Sequence, residues 1–371
     1  MLAHLRFPVE SSRGRRYPEP GHPYRNAFQR DRDRIIHTRA FRRLENKTQV
    51  FAPGISDHFR NRLTHTIEVS QIARTAASAL ELNEDLTEAL ALVHDVGHPP
   101  FAHAGEDALD QQMRRAGERF EHNIQALRIV ESLEQRYPRF PGLNLTFEVR
   151  EGIIKHSRDL IPGERPDLDE YLPGLRPPLE AQLIDLADEA AYNAADLDDA
   201  WEAGLLTTEC IAAAIPAYAE LLDTIETQFP GATERERFQE SVRHLIDGLV
   251  SGLIEGTVTA VKEASAATVD DVRRHPARLA RFTPATRETS LQLKQFLLRN
   301  VYSSEALELN RRESIAKLDR IFEYLLVHPE KIPTGNESGA PSVHRAVCDF
   351  IAGMTDRYFL RFYDSVFQSS T

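Results

Sequence analysis

A chain of 371 residues, 41% hydrophobic and 27% charged, can bury a large core, as one big helical domain or two closely packed ones. Its net charge of −12 argues against general nucleic-acid binding, and no run approaches the roughly 18 apolar residues that a membrane span needs. Two cysteines, Cys210 and Cys348, lack CxxC spacing, exclude a disulfide framework and, with no secretory signal visible, make a reduced cytoplasmic compartment the expectation.

Taken in chain order, the first feature is a basic stretch. Residues 13–43 hold ten arginines against Glu19, Asp31 and Asp33, so this stretch carries +7 and the remainder −19. Arginine without lysine suits bidentate phosphate contacts. A solvated arm, or one pairing with the acidic remainder, is the equal alternative. Beyond it the texture is helical. Val69, Ile72, Ala73, Ala76 and Leu80 share one stripe over 64–80; Leu86, Leu90 and Val93 do so over 84–95, after an Asn83 cap. Gly97 and Pro99-Pro100 stop that helix. The only weak strand candidate is a short hairpin near 144–149.

Residues 158–178 form a proline-rich loop of the kind used as a lid or interface. Leu183, Ala187, Ala190, Ala194 and Leu197 predict a helix over 180–199, and further helices follow around 211–228, 235–264, 290–300, 313–327 and 342–367. A polar Pro/Gly connection occupies 329–341. The expected architecture is all-α: a basic arm and first helix over 1–45, a core over 46–205, and a C-terminal helical region over 206–371 packed on that core.

Chemistry concentrates in LVHDVGHPPFAHAGED, residues 92–107. His94 and Asp95 stand side by side at a helix end, with His65 upstream and Asp188 downstream. Tyr192 and Asp196 follow Asp188 at i+4 and i+8, toward broadly one side of a helix. Two imidazoles and two carboxylates suit Mn, Fe, Co or Zn, and Mg less naturally; the absence of cysteine points to a catalytic ion. Taken singly, each of these residues reads as a packed histidine or a solvated acid. The doublet followed by GHPPFAH crowds too many ligand and turn residues at one helix end for that reading.

The order His65…His94-Asp95…Asp188 resembles the HD-domain phosphohydrolases. RDRDRIIHTRAFRRLENKTQVF (30–51), NRLTHTIEVSQIAR (61–74), FEHNIQALRI (120–129), LADEAAYNAADLDDA (186–200) and AGMTDRYFLRFY (352–363) narrow it to the deoxyguanosine triphosphate triphosphohydrolase-like branch, to which the vertebrate deoxynucleotide triphosphohydrolases also belong. The resemblance runs from near residue 25 to near 365. It implies an HD-domain helical fold with a C-terminal helical extension. It also implies metal-dependent hydrolysis of dGTP or several deoxynucleoside triphosphates to the nucleoside and intact triphosphate. The ion would be Mn or Mg, with Fe, Co, Zn or Ni as alternatives.

By motif position His103 matches the catalytic histidine, Glu106 its orienting carboxylate and His122 another active-site histidine. Arg62 matches a phosphate-binding arginine, Gln49 a sugar and base contact, and Tyr192 and Asp196 the deoxyribose site. His98 is read as a phosphate or supporting contact, and Lys155 as a phosphate contact or, equally, a surface lysine. The resemblance further implies a homo-oligomer, tetramer or hexamer, with a second nucleotide as an activator. The basic stretch leaves open a contact with single-stranded nucleic acid. The competing readings are an HD phosphohydrolase acting on a monophosphate or an alarmone, and a dNTP-sensing or single-strand-binding regulatory protein.

Overall fold

The computed structural model describes residues 1–50, 59–333 and 340–367. Among these residues the chain is helical, with isolated bridges and no β-strand. The helices in order are α1 (Ala27–Ile36), α2 (Arg39–Arg43), α3 (Arg62–Leu80), α4 (Glu84–Val93), α5 (Ala102–Arg115), α6 (His122–Arg128), α7 (Phe147–Ile154), α8 (Leu179–Glu202), α9 (Thr208–Ala214), α10 (Pro216–Gln228), α11 (Glu234–Ala264), α12 (Val269–Arg274), α13 (Pro284–Leu297), α14 (Glu305–Val327), α15 (Val343–Ala352) and α16 (Asp356–Phe367). No helix of the described residues is long and apolar enough to cross a membrane. The chain divides into two compact units: Met1–Pro8, Ile67–Glu88 and Asp159–Leu307 form the first, and Val9–Thr66, Ala89–Arg158 and Glu308–Thr371 the second.

In the first unit α8 is the central element. Its predicted stripe of Leu183, Ala187, Ala190, Ala194 and Leu197 is fully buried, and α8 packs against α11 and α13. Helix α11 starts at a reciprocal cap: the Thr233 hydroxyl accepts the Glu236 N–H, and the Glu236 carboxylate accepts the Thr233 N–H at 2.7 Å. The helix expected over 211–228 is two helices. Pro216 removes a backbone donor and holds Ile215 extended (φ −126°, ψ 95°), so α9 ends and α10 begins with the proline at its first position.

In the second unit Leu109, Met113, Leu318, Phe322, Val347, Ile351 and Phe359 join α5, α14, α15 and α16 in one apolar core. The basic stretch is no free arm. Arg34 grips Glu19 at 2.7 and 2.9 Å, Arg15 pairs with Asp31, Arg25 and Arg32 pair with Asp33, and Arg16 reaches Glu131. The hairpin near 144–149 is not formed. Thr146 makes a single bridge with Arg15, donates its N–H and hydroxyl to buried Asp31, and α7 starts at Phe147. Burial raises the Asp31 carboxyl, with Arg15 and Thr146 opposing. The helix expected over 342–367 is broken into α15 and α16 at residues 353–355, where the Thr355 hydroxyl accepts the Tyr358 N–H. Of the connection at 329–341, residues 334–339 lie outside the described residues.

Candidate active site

Helix α4 stops at Val93, and the turn that follows presents the His-Asp doublet. His94 Nδ1 lies 2.6 Å from the Ala91 carbonyl. A carbonyl only accepts, so Nδ1 carries the proton and Nε2 keeps its lone pair, the tautomer a metal ligand needs. His65, in the first turn of α3, places a ring nitrogen within 4.8 Å of that of His94. Both histidines and Asp95 are buried. The Asp95 carboxylate accepts Arg62 Nη1 at 2.7 Å and His98 Nε2 at 3.1 Å, and lies 3.5 Å from His94 Nε2. Burial alone would raise this carboxyl, but neighbouring His94, the Arg62 guanidinium and the hydrogen bond from His98 hold it well below the usual carboxylate range. Asp95 is therefore an anion. Two imidazoles and one carboxylate form a donor set suited to a divalent ion.

The loop after the doublet is shaped by close approaches. A Cβ on Gly97 would stand 2.0 Å from the His122 carbonyl oxygen, and one on Gly105 would stand 1.9 Å from the Pro100 carbonyl oxygen. Phe101 and Ala102 both adopt left-handed backbone (φ +65° and +54°), a costly conformation for residues with side chains. Asp356 holds this turn by accepting the Phe101 N–H at 3.1 Å, while Phe359 packs edge-on against the Phe101 ring. The result stacks His98 on His122, ring centres 4.0 Å apart.

Glu106 accepts both the His122 N–H and its ring nitrogen at 2.9 Å, and lies 3.8 Å from His103. Burial would raise its carboxyl; bonds from His103 and His122 and the charges of His122 and His98 drive it far down instead. Burial, then Arg62 and His122, hold His98 well below the ordinary histidine value. His98, Glu106 and His122 bring donor atoms within 4.8 Å of one another. The His103 side chain is 81% exposed.

The other expected contacts are placed as follows. Gln49 is half-buried, and its side-chain carbonyl has no hydrogen-bond partner among the described residues. Lys155 is not the surface lysine allowed by sequence: only 1% exposed, it donates to Glu151 at 2.8 Å. In the first unit α8 carries half-buried Asp188 and Tyr192 together with buried Asp196. Tyr302 donates its hydroxyl to Asp196. Burial raises the Tyr302 and Tyr192 phenols far above their ordinary value; Asp196 adds to the first, and Glu189 and Asp188 to the second.

Sequence reasoning passed over four residues. Lys47 is buried and donates to the His98 carbonyl and, at 3.1 Å, to the Ala352 carbonyl. His156 sets its ring 5.3 Å from that of His94. Asp356 ties Thr48 and Phe101 together, and Tyr302 caps Asp196. Lys47 and Asp356 lie inside segments already singled out, KTQVF and AGMTDRY, and His156 adjoins Lys155. Only Tyr302 had no signal around it.

Comparison with known proteins matches two family models and several relatives over nearly the whole chain. Residues 62–193 match the HD domain, and residues 280–365 the phosphohydrolase-associated domain. A deoxyguanosinetriphosphate triphosphohydrolase-like protein of Geobacter sulfurreducens is 45% identical over 362 residues, covering 96% of this chain and 92% of the relative. The proteins of the same description from Ralstonia nicotianae (45% over 358 residues; 96% and 92%) and Bordetella pertussis (44% over 377 residues; 99% and 96%) are similar to a like extent.

Proposed function

Because the chain belongs to the deoxyguanosinetriphosphate triphosphohydrolase-like family, we propose that it hydrolyses deoxynucleoside triphosphates to deoxynucleoside and inorganic triphosphate. The observation that carries this reading is the pairing of a histidine–aspartate donor set with a separate histidine–glutamate cluster a few residues on. His65, His94, Asp95 and, by its place in the family motif, Asp188 would hold one divalent ion. Once bound, such an ion supplies Lewis acidity and charge neutralisation at a phosphate.

The chain's own groups then divide the remaining work. A water oxygen bonds to the α-phosphorus as the bond from phosphorus to the sugar's 5′ oxygen breaks. That oxygen needs a proton, and His103, exposed and 3.8 Å from Glu106, would deliver it. Glu106, a firm anion, would orient the His103 ring 3.8 Å away, and His122 fixes that carboxylate. Arg62 neutralises charge beside Asp95, and His98 and Gln49 offer polar contacts. Tyr192 and Asp196 would meet the sugar.

The test is a product assay on all four deoxynucleoside triphosphates with Mn or Mg, read by phosphorus NMR for intact triphosphate. His94→Ala should lose both bound metal and turnover. His103→Ala should keep the metal and lose roughly 10²- to 10⁴-fold in kcat. Release of pyrophosphate or of single phosphate would refute the reaction, and a His103→Ala change confined to KM would refute its role.

A further inference from the structure

In the first unit one buried carboxylate on α8 gathers three side chains from a single face of α13. Glu189 is only 7% exposed. Its Oε2 lies 2.7 Å from Lys294 Nζ, and its Oε1 accepts Arg287 Nη1 at 3.1 Å and the Ser290 hydroxyl. Arg287, Ser290 and Lys294 stand at i, i+3 and i+7, so they share one stripe of α13. Ser290 is itself buried and accepts the Asn193 side-chain N–H at 3.0 Å, a second tie from α8 to the same stripe. Two cations and a hydroxyl thus offset the cost of enclosing the Glu189 charge.

Glu189 precedes Tyr192 by three residues on α8, the spacing at which helical side chains are neighbours. Lys294 reaches back over that ring: its ammonium nitrogen lies 5.5 Å from the ring centre, close enough for a cation–π contact. A lysine stem is flexible and its ammonium strongly hydrated, so the ring alone would hold it poorly. The Glu189 carboxylate fixes the ammonium, and the ammonium lies against the ring. Tyr192 is half-buried, which leaves part of its surface open to a ligand. Glu189, with so little surface, would act through these partners and not on a substrate.

We propose that Glu189 is a positioning residue for sugar selectivity: by anchoring Lys294 across the Tyr192 ring, it fixes where the aromatic wall stands beside a bound nucleotide's 2′ carbon. The inference rests on the proposed reaction, in which Tyr192 meets the sugar, and adds the group that holds that ring in place. Rejection of an extra hydroxyl by shape reaches only about 10²-fold, so a ring free to swing would lose much of it.

The ratio of kcat/KM for dGTP to that for GTP, measured with Mn, is the readout, because it cancels effects common to both substrates. In Glu189→Gln and in Lys294→Met this ratio should fall on the order of tenfold. The double variant should fall no further than either single one, since both break the same link. Lys294→Arg keeps a cation between carboxylate and ring and should retain most of the preference. An unchanged ratio in Glu189→Gln, with Tyr192→Ala still abolishing the preference, would overturn the proposal and leave the proposed reaction standing. A wild type that fails to hydrolyse dGTP, or hydrolyses GTP equally well, overturns both. Losses that multiply in the double variant would also overturn it, because Glu189 would then act independently of Lys294. Should Glu189→Gln lose its helical circular dichroism, Lys294→Met carries the test: this side chain is 34% exposed, and its replacement leaves the Arg287 and Ser290 bonds in place. An undiminished ratio there overturns the proposal equally. A lower melting temperature with the ratio intact would show that Glu189 merely ties α13 to α8.

Discussion

Asp356 offers a sharp test of how the C-terminal helices support the candidate site. Its buried carboxylate accepts the Thr48 N–H at 2.9 Å, the Thr48 hydroxyl, and the Phe101 N–H at 3.1 Å. Asp356→Ala leaves two backbone donors without their acceptor, each costing about 1–3 kcal/mol. Thr48 and Phe101 are only half-buried, so water recovers part of that, and the expected loss is about 2–4 kcal/mol. Such a loss is a large share of the roughly 5–15 kcal/mol that holds a typical domain folded. With a slope of roughly 3 kcal/mol per molar urea, the unfolding midpoint should fall by about 1 M. Asp356→Asn keeps one acceptor oxygen and should lose about half as much. The same variants should lower turnover, because the left-handed turn at Phe101 and Ala102 loses the bond that holds it beside His98 and His103. A midpoint for Asp356→Ala equal to that of the wild type, with an unchanged slope, would show that these donors find other acceptors and that Asp356 positions nothing.

Two further outcomes follow from the buried polar groups. Burial pushes the Lys47 ammonium down to about 7, against Asp356 and with help from Arg43 and Arg62. Above pH 7 the folded chain sheds this proton while the unfolded chain keeps it to about 10.5, so the unfolded state binds more protons and stability rises with pH across that window. Below pH 7 both states hold the proton and the cost of the buried charge is fully felt. Urea midpoints between pH 7 and 9 should therefore climb in the wild type relative to Lys47→Met, by up to about 1.4 kcal/mol per pH unit; parallel profiles would exclude the effect. At the proposed sugar site, Tyr192→Ala should reduce the preference for dGTP over GTP in kcat/KM, from a ratio of about 10² toward unity. A lower melting temperature with selectivity intact would instead mark Tyr192 as packing alone.

How far the sequence speaks depends on whether a residue's partners are local. The α8 stripe was legible because one face of it is apolar at helical spacing and all of that face is buried. Around 144–149 the apolar Leu143, Leu145, Phe147 and Val149 alternate with Asn144, Thr146 and Glu148 as in a strand, yet all seven are buried. Where the chain is enclosed on every side, period-two spacing no longer separates strand from helix. At 211–228 the apolar pattern runs straight across Pro216 and hides the break that proline imposes. The His-Asp doublet was legible because ligand and turn residues share one short segment, and its family pattern extends to the C-terminus. Asp356 lay within that pattern, but its role did not show, since its partners are backbone donors 308 and 255 residues away. Lys155 and Arg361 show the same limit in opposite senses. One is a lysine whose charge is already answered by Glu151, and the other an arginine whose charge no described carboxylate answers. Composition counts both as +1. Only the fold distinguishes a charge paired in the interior from one left facing a cavity.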